Sequence, residues 1–414
     1  MFCKHNLKTL ITTSVLGLSL LAQSAVYAGD LQRRQAKRIH DRLTGTPPST
    51  TVLNNMESEL LLDATGKTAA DIALLDAAFY NVTLKNFIAP WTNEEQTVFT
   101  PLNDYTATAI GIIRDDLDFR QLLFGDIIYT GNNSPAYSNS NNDHYVALEE
   151  SGPVTGNLAD DTILIKKLQS TVTGLDTSAT AGVMTTRAAA RAFFILGTNR
   201  AMFRFTMMNH LCTDLEPIKD NTRTPDRVHQ DVSRSPGGDS RIYLNSCVGC
   251  HAGMDGMMGA FAHYNLQFSP DGNGNVIENT AQLDYDATEV QAKFLINENN
   301  FKPGFVTLDD SWINYWRNGQ NELLGWNDGY PGLVKDDRGN ATGNGAKTLG
   351  MELAYSDSFA QCQVKKVFKN VCFRDPDDSS ADRTVVNTIK NDFIGSGYKM
   401  KQVFRDVAAS CKGD

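Results

Sequence analysis

Cys247-Val248-Gly249-Cys250-His251 is the stretch on which the reading of this chain turns. It has the C-x-x-C-H spacing of covalent c-type haem attachment. In that chemistry two thiols add across the vinyl groups of haem, and a two-residue spacer holds both sulfurs along one edge of the ring. The histidine that follows at once is placed to ligate the iron as its proximal ligand. In a chain of 414 residues with 7 cysteines and 7 histidines, chance supplies the pattern about 0.002 times. A thioredoxin-like redox pair would begin a helix in a βαβ setting. Neither the 241–246 stretch before the motif nor the Gly/Met-rich 252–259 stretch after it offers that pattern. Half a zinc site would need two more ligands close by, and His263 stands alone. The expectation is one haem c, with Cys247 and Cys250 as its thioether residues and His251 on the iron.

The sixth iron ligand has several candidates. Met351, in Gly350-Met351-Glu352-Leu353, follows the Gly-rich stretch 329–345 and leads them. Met254, Met257 and Met258 lie too close to His251 to reach the opposite face of the ring and read as packing residues. His263, His210, His229 and Met400 remain alternatives, whereas His40 and His144 read as internally satisfied histidines. Arg241 is a candidate partner for the haem propionates. Trp312, Trp316 and Trp326 either line a haem edge or simply pack.

Working outward, the N-terminus explains the compartment such a motif needs. Lys4 and Lys8 precede an apolar run, Leu10 to Leu21, and the small-residue site Val26-Tyr27-Ala28 follows. This predicts a secretory signal peptide over residues 1–28, cut after Ala28, and a periplasmic or secreted protein. The run is about half of the roughly 20 residues a membrane span needs, and no later stretch qualifies, so no integral membrane segment is expected after cleavage. Cys3 precedes the run, whereas a lipoprotein cysteine would follow it. An oxidising compartment favours disulfides among Cys212, Cys362, Cys372 and Cys411. On one helix over 359–371, Cys362 and Cys372 would be about 15 Å apart, beyond the roughly 7 Å a disulfide spans. Two pairings remain. Cys372 with Cys411 and Cys212 with Cys362 is preferred if helices near 359–371, 384–394 and 398–411 run up, down, up.

Composition sets the wider bounds. Apolar residues make up 41% and charged residues 21% of the chain, enough to bury a core. Removing residues 1–28 leaves 36 basic against 48 acidic residues, a net charge of −12. That balance argues against nucleic acid or an anionic membrane as partner and would steer a basic protein. Helical periodicity appears over 30–43, 69–88, 106–124 and 184–211, the last with Thr185 or Thr186 as N-cap and a break at Gly197-Thr198. The basic face of 30–43 reads as solvated. Residues 129–145 read as a polar loop, and the Asp271, Asn273, Asn275 stretch as a hairpin turn, since Val276 and Gln282 stand where a calcium loop needs Gly and Glu. The expected fold is mainly α: successive helical modules around one covalently attached haem, with a small β-hairpin. It divides into an N-terminal helical domain (29–145), a haem-binding domain (146–345) and a disulfide-linked C-terminal helical module (346–414).

Three stretches resemble the planctomycete-type cytochrome c proteins: Arg42-Leu43-Thr44-Gly45-Thr46-Pro47-Pro48, Cys247 through Gly256, and Ser358 through Phe368. The resemblance implies an exported, mostly helical protein organised around one haem-attachment motif. Where that family reads Met-Asp-Pro after the motif, this chain has Met254-Asp255-Gly256. The function expected is an electron-transfer cytochrome passing single electrons to or from a protein partner. The alternatives are a haem enzyme or sensor with an open distal site for peroxide or dioxygen, and a haem-stabilised structural or binding protein.

Overall fold

Apolar side chains at helical spacing dictate the outer frame. In helix α1 (29–44), Ala36, Ile39 and Leu43 are fully buried and form one stripe. The computed structural model describes residues 29–194, 199–223, 225–228, 240–268, 273, 281–294 and 305–413. The expected signal peptide, His229, the Gly197-Thr198 break and most of the 269–280 turn lie outside these residues. The basic face of α1 is not simply solvated, as the sequence suggested. Gln35, Arg38 and Arg42 donate to the carbonyls of Gly413, Lys412 and Cys411. These carbonyls lie at and just beyond the end of the C-terminal helix, where no helical N–H reaches them, and the α1 side chains supply the donors.

Helix α2 (Thr50–Leu62) is capped by Ser49, whose side chain accepts from the Val52 N–H. The 69–88 periodicity resolves into shorter helical pieces, Lys67–Ala73, Phe79–Leu84 and Lys85–Ile88. Helix α3 (Asp104–Arg114) is buried along its whole length. It stops short of the expected Phe124, because Asp116 adopts a left-handed φ of 53°. The polar loop expected over 129–145 is shorter in fact. Ile128–Gly131 forms strand β1, buried at every position, and pairs antiparallel with β2 (Leu164–Lys167). Asp143–Glu150 is helical.

Helix α4 (Arg187–Phe193) begins at Thr186, whose hydroxyl accepts from the Ala189 N–H, as one of the two expected caps does. Helix α5 (Arg200–Thr206) follows and runs into a wider helical turn over Met207–Leu211. Phe193, Phe194, Phe203 and Phe205 are all core residues. Helix α6 (Val248–Met258) carries the motif. Strands β3 (Tyr264–Gln267) and β4 (Gln282–Tyr285) pair antiparallel on either side of the expected hairpin turn. A further sheet, in the order β5 (Ser311–Asn314), β7 (Ala341–Asn344), β6 (Val334–Lys335), occupies part of the stretch read as a Gly-rich loop.

Helix α7 (Gly345–Ala354) leads into α8 (Asp357–Cys372), α9 (Ser380–Gly395) and α10 (Met400–Ser410). Ser356 and Ser379 cap α8 and α9 by accepting from Phe359 and Asp382 N–H groups. The C-terminal ends of α8 and α10 meet at the Cys372–Cys411 disulfide, so the three helices run up, down, up. Cys212–Cys362 ties α8 back to the turn after α5. Lys366, placed outside α8 by its sequence pattern, instead lies 3.3 Å from the centre of the Trp91 ring and donates to the Asn209 carbonyl at 2.7 Å. A long aliphatic stem and an aromatic face make that inward course favourable. One apolar core runs from Ala36 in α1 to Ala408 in α10. Among the described residues no helix is long and apolar enough to cross a membrane.

Candidate functional site

Cys247 stands at the N-terminus of α6, with helical turns rather than a strand before it. Most of the Gly/Met-rich 252–259 stretch, read from sequence as lacking the pattern of a redox pair, belongs to this helix. Its glycines serve close approach. A Cβ at Gly253 would lie 1.9 Å from Trp316 Nε1, one at Gly256 2.8 Å from the Ile313 carbonyl, and one at Gly259 2.6 Å from the Ser311 carbonyl. The packing of β5 and Trp316 against α6 therefore outweighs the low helix propensity of glycine. Met254, Met257 and Met258 are core residues, as expected.

At positions i, i+3 and i+4 of one helical run, Cys247, Cys250 and His251 share a face. Both cysteines are reduced and half-buried. Two apolar side chains one to two turns earlier, Ile242 and Leu244, are 48% and 47% exposed. The strap 215–221 lies along one flank, where Asp220 N–H donates to the Gly249 carbonyl at 2.9 Å. Cys250 Sγ sits 3.7 Å from the Leu215 carbonyl. Burial, and then the Glu216 carboxylate beside it, push the Cys250 thiol up. On the other flank Val228 packs on Ala252 and Cys247.

His251 is held by a chain of charged groups. Its Nδ1 lies 3.1 and 3.2 Å from the two carboxylate oxygens of Asp255, one helical turn on. Asp255 is in turn gripped by Arg200 of α5, with Nε and Nη2 each 2.9 Å from one oxygen. The Asp255 side chain is wholly buried. Burial alone would raise its carboxyl, but Arg200 and His251 outweigh that and hold it well below the usual carboxylate range. An ionised carboxylate only accepts, so Nδ1 carries the proton, and Nε2 is the nitrogen left to offer a lone pair to a metal. Sequence reading passed over both partners. Asp255 had a signal in its four-residue spacing from His251, whereas Arg200 comes from a distant helix.

The other candidates sit elsewhere. Met351 lies half-buried on α7, on the face of Lys347, whose Nζ reaches the Thr177 carbonyl. Between α7 and α6 runs the 311–317 segment. Trp312, Asn314 and Arg317 bond to Thr348 and Glu352 of α7 at 2.6–2.8 Å, while Ser311, Ile313 and Trp316 face the glycines of α6. Met351 and His251 thus stand on helices parted by this segment. Buried His210 Nε2 is 2.7 Å from the Tyr105 hydroxyl, and His263 Nδ1 is 2.9 Å from the Glu289 carbonyl. Met400 is buried in α10. His144 and His40 are internally bonded, as expected. Trp312 and Trp316 are packing residues, each 1% exposed. Arg241 is exposed at the start of the helical run that leads to the motif. Among the described residues no group of three or more His, Cys, Asp or Glu side chains is gathered to hold a metal ion by itself.

Comparison with protein families, with curated proteins and with solved structures found no match to this chain.

Proposed function

We propose that this chain is an exported c-type cytochrome that carries one covalently bound haem and passes single electrons to or from a protein partner. The observation that carries the reading is the set of Cys247, Cys250 and His251 on one face of α6, with the histidine Nδ1 already engaged by Asp255. That donor set fits the group: two thiols for thioether bonds and an Nε2 lone pair for iron. Bound there, haem would supply reversible one-electron chemistry at its iron. The protein's own residues do the rest. Asp255 fixes the ring of His251, and the exposed Ile242 and Leu244 offer apolar surface in the helical turns before the thiols. The acidic balance favours docking of a basic partner. The likeness to planctomycete-type cytochrome c proteins, and export through residues 1–28, belong to the same proposal.

A second reading rests on where the distal candidates sit. His210 and His263 are bonded to other groups, Met400 is in the C-terminal core, and Met351 lies across the 311–317 segment. An iron open on its distal side would bind peroxide or dioxygen instead. Optical spectra of protein matured with haem in a bacterial periplasm, oxidised and reduced, with and without carbon monoxide, separate the two. Electron transfer predicts a low-spin spectrum that carbon monoxide leaves unchanged. A high-spin spectrum that shifts with carbon monoxide moves the assignment to oxidant chemistry. No haem spectrum overturns both.

A further inference from the structure

We propose that Asp255 and Arg200 are positioning residues that set the donor strength of His251, Asp255 biasing the bound iron toward its oxidised form and Arg200 moderating that bias. This rests on the haem reading above. A carboxylate placed in a wholly buried site must answer to its partners, and Arg200 and His251, on two helices, are among them. Arg200 holds both oxygens in a planar fork at 2.9 Å, which fixes the carboxylate plane. Against that fixed plane the Nδ1–H of His251 donates at 3.1 and 3.2 Å. A charged acceptor draws the Nδ1 proton more strongly than a neutral carbonyl would, which raises the basicity of Nε2. A more basic nitrogen donor stabilises the ferric over the ferrous state. Arg200 pulls the other way, draining charge from the carboxylate, so the two residues act with opposite sign on one bond. Their location on separate helices, α6 and α5, makes the setting a property of the tertiary fold.

The test is the midpoint potential of the full chain matured with haem, measured by redox titration for wild type and three variants. Asp255→Asn keeps the shape and removes the charge. It is expected to shift the equilibrium about tenfold toward the reduced form, about +59 mV for a one-electron couple. Arg200→Gln is expected to shift it in the opposite direction. Asp255→Glu keeps the charge but displaces the carboxylate, so it is expected to move with Asp255→Asn. If Asp255→Glu behaves as wild type while Asp255→Asn shifts, the effect is through-space charge alone and the proposal fails. An unmoved potential in Asp255→Asn, or a shift of the same sign in Arg200→Gln, overturns it while leaving the haem reading intact. Wild type without covalent haem overturns both. Should a variant fail to accumulate, nitrogen-15 spectra of the haem-free wild type supply the second measurement. The protonated-Nδ1 form of His251 is expected, and a protonated-Nε2 form overturns the proposal.

Discussion

Six cysteines of this chain follow the predicted leader, and they divide into two kinds. Four are closed: Cys212 with Cys362 and Cys372 with Cys411, at Cα separations of 5.2 and 5.7 Å. Two are open, Cys247 and Cys250, half-exposed on one face of a helix. The closed set stitches elements far apart in sequence, while the open pair lies within one helical turn, where cross-linking would restrain little of the unfolded chain. The closed cysteines act on the conformational freedom of the chain, and the open pair, beside a histidine with one nitrogen already committed, is where the proposed haem would attach.

The comparison is most sharply broken by removing the bridges. Cys212 and Cys362 are 150 residues apart, so the C212S/C362S double variant is expected to lose up to about 5 kcal/mol by loop entropy. Cys372 and Cys411 are 39 apart, and C372S/C411S is expected to lose about 4 kcal/mol. Urea unfolding of each checks the order. Equal losses, or a larger one for the shorter loop, would show that strain or residual unfolded structure governs the bridges.

Next in size is the neutral histidine beside the first bridge. Burial, and then nearby Lys366, hold the His210 imidazole well below its usual range, with the Tyr105 hydroxyl as its partner. Below about pH 6.5 the unfolded chain takes up a proton at this position before the native protein does. Stability is then expected to fall by about 1.4 kcal/mol per pH unit as pH drops. Urea unfolding at pH 7 and pH 5 measures it, and H210Q is expected to flatten that dependence; an equal slope in the variant would assign it elsewhere.

On the side of the open pair, Gly253→Ala should destabilise by about 1–3 kcal/mol through overpacking on Trp316, although alanine normally favours a helix. A rise in melting temperature would contradict the close contact. Smallest of all, I242N and L244N are expected to change the haem-free protein by less than about 0.5 kcal/mol, since both side chains are exposed. The same substitutions should cost more once haem is attached, and an unchanged difference would remove these residues from the haem surround.

Much of the frame was legible because local signals agreed. Over α8, apolar spacing pointed to a helix, and the Cys372–Cys411 pairing followed from the expected up, down, up order of α8 to α10. Thr186 and the α1 stripe were readable for the same reason. What was lost was decided by distant neighbours. Nothing local in Ala341-Thr342-Gly343-Asn344 announces a strand until Ser311–Asn314 lies beside it. The glycines of α6 look like breakers until Trp316 is seen against Gly253. At the candidate site, Cys247, Cys250 and His251 were visible from spacing alone. The grip of Arg200 on Asp255 was not, because it depends on α5 packing against α6.

The central claim is a covalent haem on the open pair, and mass measurement of the denatured full chain after maturation in a periplasm tests it directly. Wild type is expected to retain one haem through denaturation and C247A/C250A none, with both disulfides intact in each. A denatured wild type free of haem, or a double variant that still carries it, would contradict the account.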